Sequence, residues 1–428
     1  MKIGGEQMNQ SQVNKISEKN EQGHTGLRYK NILLDQDFKK VSGLGEGTLI
    51  ALAVKGLNSP ELLARRVGLF KAQGKDQGLY EPVRKLGPTA PIFLAQAQDL
   101  ADPNKRLWEI SGTESRDMIF RDDIAVAVMS QNIVVFDMKT GQEIKRIRHP
   151  EFKLLHTVEF HPNKAKSDIV LISSSGVDRI LEVNLKTEEI VYDWFAWEHG
   201  FYKNHLGMTL VEKGKPLPPS NENTLVLSTD EYIERFKGKF VGDLEPGKEI
   251  YIVVDTYIGD PELGLETVFH TVHPNWAGYS ADGTKILATF LMTGQAVEID
   301  RATSETRVVL NNLSKPHGLV AFQGGYLVSD SRNGRVLHIN HNYEILTNYD
   351  FSDLPFDNGD NFPTNWIQLS HLIGDGELIA TVDSRRAIVF IWNPTTKEYS
   401  TYPYEAKWLV QAALPAPPNA FGLRGNNA

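Results

Sequence analysis

The chain has 428 residues, no cysteine and a formal net charge of −9 at pH 7. The missing thiols exclude disulfides, thiolate metal ligands, iron–sulfur clusters and cysteine nucleophiles. The acidic balance argues against a broad electrostatic footprint for nucleic acid. Hydrophobic content of 41 %, with 35 glycines and 21 prolines, fits a turn-rich globular protein.

Residues 1–27 are polar and are read as a disordered tail without the apolar core of a signal peptide. No stretch approaches the length of a membrane-spanning helix, so a cytoplasmic location is expected. Residues 28–118 are read as a partly helical cap. Its candidate segments are LIALAVKGL, SPELLARRVGLFKAQ and TAPIFLAQAQDLADP, with Ser59 as N-cap and Pro60 at the first helical position.

From residue 119 to 415 an internal repeat dominates. Copies begin at Ile124, Ile169, Ile286, Tyr326 and Leu378, each an apolar strand, a turn and a second apolar strand. The turns Asp137–Thr140, Asn184–Thr187, Asp300–Thr303 and Asn393–Thr396 fall at matching places, where short polar side chains satisfy local backbone groups. The pattern predicts an all-β, six-bladed β-propeller. Its blades are placed near 120–150, 155–198, 204–258, 270–312, 316–352 and 364–404, with 416–428 as a flexible tail. The blade near 120 is read as lacking an inner strand, and WLVQAAL from Trp408 is expected to supply it and close the ring.

Four histidines precede apolar strand-like runs: His156, His205, His273 and His317. If each opens the inner strand of a blade, their imidazoles converge on the axis, a donor set suited to a transition metal. Fe(II) is the favoured ion, with zinc or another divalent metal as alternatives. In the last blade Asn365 or Trp366 takes the corresponding place. Glu159, Glu198, Glu266 and Asp230 are candidate partners for the outer imidazole nitrogens, and Asp255 or Asp260 could face the mouth.

The segment DWFAWEHGFYKNH from Asp193 is unusually aromatic. Trp197 and Phe201, extended by Trp276 and Trp366, are candidate walls for an apolar or phenolic small molecule. His199 and then Tyr202 are acid–base candidates. Asp178-Arg179, Asp330-Ser331-Arg332 and Asp383-Ser384-Arg385 recur in the first hairpins, and repetition favours a scaffold role there. Ser173-Ser174-Ser175-Gly176 reads as an ordinary turn. No HExxH, GxSxG, phosphate loop or dinucleotide fingerprint is present.

The strings HTVEF…DIVLISSSGVDRILEVNLKTEEIVYDWFAWEHG and HPNWAGYSADG…AVEID resemble the arylsulfotransferase-like β-propeller proteins, over roughly residues 150–400. The resemblance implies sulfuryl transfer between phenols through a histidine. His273 and Asn275 look similar to the family's His-x-Asn element, and Arg179 or Arg332 would be the anion clamp. Either His156 or His317 would be the nucleophile. The leading expectation is a metal-dependent oxygenase, lyase or cyclase on the histidine ring. Sulfuryl transfer and a non-catalytic binding propeller are the alternatives.

Overall fold

The computed structural model describes residues 34–35, 37–57, 89–219, 221–236, 247–255, 265, 269–354, 365–374 and 376–423. The tail 1–27, the helix expected around Ser59 and Pro60, Asp260 and Glu266 lie outside these residues.

Six four-stranded antiparallel units form the blades of a propeller, and the short strands Leu34–Asp35 and Lys39–Lys40 each add a parallel fifth strand to one of them. Blade 1 combines the C-terminal strand Leu409–Pro415 with Leu49–Gly56, Thr89–Gln96 and Trp108–Thr113. Blade 2 runs from Asp117 to Ile147, blade 3 from Leu155 to Phe195 and blade 4 from Pro274 to Leu310. Blade 5 runs from Pro316 to Asp350 and blade 6 from Ile367 to Pro403. The first strand of each later blade, and Leu409–Pro415 in blade 1, is the inner one, and these inner strands pack side by side in a closed ring.

Six apolar clusters fill the gaps between successive blades. Val126 and Ile133 of blade 2 meet Val158 and Val170 of blade 3. Leu327 and Tyr349 of blade 5 meet Ile379 and Phe390 of blade 6. Each blade thus buries both faces against neighbours, the condition that makes a propeller stable without a single central core. The repeated hairpins behave as expected. Asp137 Oδ1 accepts the Lys139 and Thr140 N–H groups at 3.0 and 2.7 Å, and Asn184, Asp300 and Asn393 do the same in blades 3, 4 and 6.

The six blades are not the six expected. Leu49–Gly56 and Thr89–Gln96, read as helical, are strands, and nearly every residue in them is buried. A strand covered on both faces reads as a continuous apolar run, which by periodicity alone resembles a buried helix. Among the described residues the one α-helix, Thr229–Phe236, lies elsewhere. Blade 2 has its own inner strand, Asp117–Arg121, and the C-terminal strand closes blade 1 instead by pairing with Leu49–Gly56.

The segment expected as a blade at 204–258 is an insert. Its strands Thr209–Glu212 and Thr224–Ser228 both pair in parallel with Glu249–Val254. Parallel strands need a crossover, and Thr229–Phe236 occupies that connection. Leu210 and Ile252 of the insert join the apolar cluster between blades 3 and 4. No described helix is long and apolar enough to cross a membrane.

Candidate active site at the propeller axis

Contacts between neighbouring blades bring the starts of the inner strands together at one end of the axis. Arg116, just before the blade 2 inner strand, reaches His156 of blade 3 with Nη1 2.9 Å from Nε2. Ser175 of blade 3 donates to the Pro274 carbonyl of blade 4 at 2.5 Å. Asn275 of blade 4 donates to the Pro316 carbonyl of blade 5 at 2.7 Å.

The hydrogen bonds assign the ring tautomers. An arginine can only donate, so Nε2 of His156 accepts and its proton sits on Nδ1. Nδ1 lies 3.0 Å from the Leu154 carbonyl and 2.9 Å from Ser175 Oγ. Blade 5 repeats the device: His317 Nδ1 lies 3.1 Å from the Lys315 carbonyl and 2.6 Å from Ser331 Oγ. The residues two before these histidines, Leu154 and Lys315, have φ values of 54° and 57°, which turns their carbonyls back toward the rings. In blade 4, His270 Nε2 donates to the Leu265 carbonyl at 2.9 Å and its Nδ1 sits 2.5 Å from Nδ1 of His273. With neutral rings, His156, His273 and His317 all carry an unprotonated Nε2.

The surroundings are cationic. Burial, and then Arg116, His273 and Lys55, push the His156 pKa well below its usual value. Burial, and then Lys55, lowers His317 to about 3. Lys55 therefore bears on both histidines from the end of its blade 1 strand. Arg116 is also paired with Glu114, and Gln411 Oε1 lies 3.4 Å from Arg116 Nη1. The His156 and His273 rings are 5.0 Å apart, centre to centre.

Strand register changes the expected alignment of the histidines. Leu155, Pro274, Pro316 and Ile367 each pair with the last residue of the second strand in their blades. The following residues, His156, Asn275, His317 and Gln368, are therefore equivalent. His273 stands two places earlier, where Leu154, Lys315 and Trp366 stand in the other blades. His205 belongs to no blade strand. Both its ring nitrogens are buried without a hydrogen-bond partner, and burial, with Lys315 and His270 nearby, holds its pKa at about 4. Among the described residues no group of three or more histidine, aspartate or glutamate side chains is arranged to hold a metal ion.

The remaining candidates scatter. His199 stacks on Trp194 of the blade 3 outer strand at 5.3 Å, and Tyr202 is exposed. Asn275 is held at both ends of its amide, by the Pro316 carbonyl and by Thr289 Oγ1. Trp276 lies in the cluster between blades 4 and 5, and Phe201 packs on Trp194 and Phe290. Trp197 is buried, with Nε1 3.3 Å from Asp178. Only Trp366 approaches an axial histidine, 6.5 Å from the His317 ring. Arg179 pairs with Glu151 and Asp193 and lies over Phe195, and Arg332 is half-buried with its backbone N–H on the Ser314 carbonyl. Of the carboxylates, Asp255 pairs with Lys213, Glu198 and Asp230 are exposed, and Glu159 interacts with Arg121.

Arg116, Lys55, Lys315, His270 and the serines 175 and 331 were not singled out from the sequence as site residues. The serines carried a legible signal: a serine follows the second strand in both blades whose inner strand has histidine as its second residue. Asp178, read as a scaffold residue, is an inter-blade clasp. It accepts the backbone N–H groups of Thr271 and His273, both at 2.7 Å.

No family model matches the chain, and no curated protein does. Solved structures similar to it include the β-propeller domain of Myceliophteria thermophila Cps50 (Swd1), at 10 % identity and a TM-score of 0.38, covering 90 % of each chain. Another is a protein of unknown function from Bacteroides caccae, at 12 % identity and a TM-score of 0.45, covering 78 % of this chain and 97 % of that one. Likenesses this distant carry no argument, and the propeller assignment rests on the strand pairing above.

Proposed function

We propose that the axial end of the propeller transfers an oxyanion group, sulfuryl or phosphoryl, from an aryl ester, with His317 as nucleophile. The observation that carries this reading is His317 itself. Its Nδ1 is held by a carbonyl and a serine, while Nε2, the nucleophilic nitrogen, has no hydrogen bond among the described residues. His156 is the weaker nucleophile because Arg116 already sits on its Nε2.

An imidazole with a pKa near 3 is a poor nucleophile on its own. An anionic group beside it offsets the cationic surroundings and raises that pKa, so substrate binding would itself activate the ring. In the step, His317 Nε2 forms a bond to sulfur or phosphorus as the bond to the phenolic oxygen breaks. A second phenol, or water, then takes the group and regenerates the imidazole. The resemblance to arylsulfotransferase-like propellers points the same way.

The test is turnover of 4-nitrophenyl sulfate and 4-nitrophenyl phosphate with a phenol acceptor. His317→Ala should lower kcat/KM by about a thousandfold. A folded parent that turns over neither ester, or a variant as active as the parent, would overturn the reading.

The metal-dependent oxygenase, lyase or cyclase reading ranks second. It is favoured by the Nδ1-to-carbonyl bonds of His156 and His317, which are how proteins orient imidazoles toward a metal. Against it stands the cationic company of Arg116, Lys55 and Lys315. Elemental analysis after incubation with Fe(II) or Zn(II) separates the two: about one tightly held ion per chain, lost in His317→Ala, favours the metal.

A further inference from the structure

Beside His317 lies a group that the transfer step does not use. Lys315 opens the blade 5 inner strand in the left-handed region, with φ 57°. Its Nζ is directed at Met292 Sδ, 3.8 Å away, a thioether that accepts hydrogen bonds only weakly. Burial alone lowers the Lys315 pKa, with no carboxylate contributing. His205 approaches it from the insert, and both of its buried ring nitrogens lack hydrogen-bond partners. A largely buried ammonium and an imidazole with both nitrogens buried therefore lie near each other with no carboxylate beside them. Buried polar groups of this kind are normally satisfied, and an exception calls for a partner such as a bound ion.

We propose that Lys315 and His205 form an oxyanion subsite, gripping a phosphate, sulfate or carboxylate group of the ligand. The insert between blades 3 and 4 supplies one jaw and blade 5 the other. The subsite rests on reading this end of the axis as a ligand site, but not on the transfer chemistry at His317. An anionic oxygen accepts from Nζ and from the imidazole N–H. The imidazole offers one N–H to the anion, since its two nitrogens point in diverging directions and a single anion reaches only one of them.

The experiment is calorimetric titration of the full chain with inorganic phosphate, then sulfate and acetate, at matched ionic strength and pH 7. Saturable binding is expected, weakened about tenfold or more by Lys315→Met and less by His205→Leu. Lys315→Arg should retain it. A parent that binds none of the three anions, or Lys315→Met and His205→Leu proteins that bind like the parent, would overturn the subsite. If Lys315→Met fails to fold, His205→Leu decides alone by the same criterion. His317→Ala should lose ester turnover and keep the Lys315-dependent binding. Anion binding without turnover in the parent sinks the transfer reading and leaves the subsite standing.

Discussion

Blades 3 and 5 treat their buried histidines very differently from the insert that follows blade 3. In the blades, each ring is held by a carbonyl two residues back and by a serine from the next hairpin. In the insert, His205 is buried with neither nitrogen partnered. Blade geometry recurs, so a hydrogen-bonding solution found once can be reused at each equivalent register. The insert has no equivalent elsewhere, and its polar group is answerable only to what binds beside it. Regular parts of this molecule hold the site; the departure from regularity gives it an unsatisfied contact.

The largest expected effect breaks the blade side of that comparison. Asp178→Ala removes the acceptor for two buried backbone N–H groups, the Thr271 hydroxyl and Trp197. A loss of about 3–5 kcal/mol in unfolding free energy is expected, measured by denaturant titration. Loss below about 1 kcal/mol would mean that the clasp between blades 3 and 4 is not structural.

The next effect sets the two histidines against each other. His156→Leu leaves Ser175 and Arg116 without their imidazole partner and should cost about 2 kcal/mol. His205→Leu removes two unsatisfied nitrogens and should be neutral or stabilising by up to about 1 kcal/mol. Thermal melts of both variants in anion-free buffer check this. Equal losses would erase the contrast between blade and insert.

The smallest effect appears in pH dependence. Folding lowers the pKa of His205 to about 4, His317 to about 3 and His371 to about 4, mainly through burial. Their contribution to stability is present above about 6.5 and is lost as the pH falls toward those values. Glu159 runs the other way, raised to about 7 by burial against the opposing charge of Arg121. Its contribution is full below about 4.5 and lost as the pH rises through 7. The two trends oppose each other between pH 5 and 7, but three histidines outweigh one carboxyl, so the parent's stability should still rise across that interval. Glu159→Gln should leave the histidines unopposed and steepen that rise by about 2 kcal/mol over the interval. A variant whose stability rises no more steeply than the parent's in melts at pH 5, 6 and 7 would contradict this assignment.

Repetition made the propeller legible in the sequence. Alternating strands and the Asp or Asn that closes each outer hairpin are local features, because the side chain bonds to the backbone two and three residues on. His156, His273 and His317 were legible for a related reason, since each sits near the start of an inner strand. Blade 1 was less legible, because its inner strand comes from the other end of the chain and its central strands are apolar on both faces. Nothing local marks Arg116, more than 30 residues before His156, as the group that fixes that ring's tautomer. The sequence by itself determined the blade grammar and the axial histidines, through short-range hydrogen bonding in the hairpins and apolar strand runs between them. Tertiary structure alone decided the register that separates His273 from its apparent equivalents, the proton positions on the rings and the meeting of Lys315 with His205. Those depend on contacts between blades, and no local pattern encodes a contact whose two halves lie in different blades.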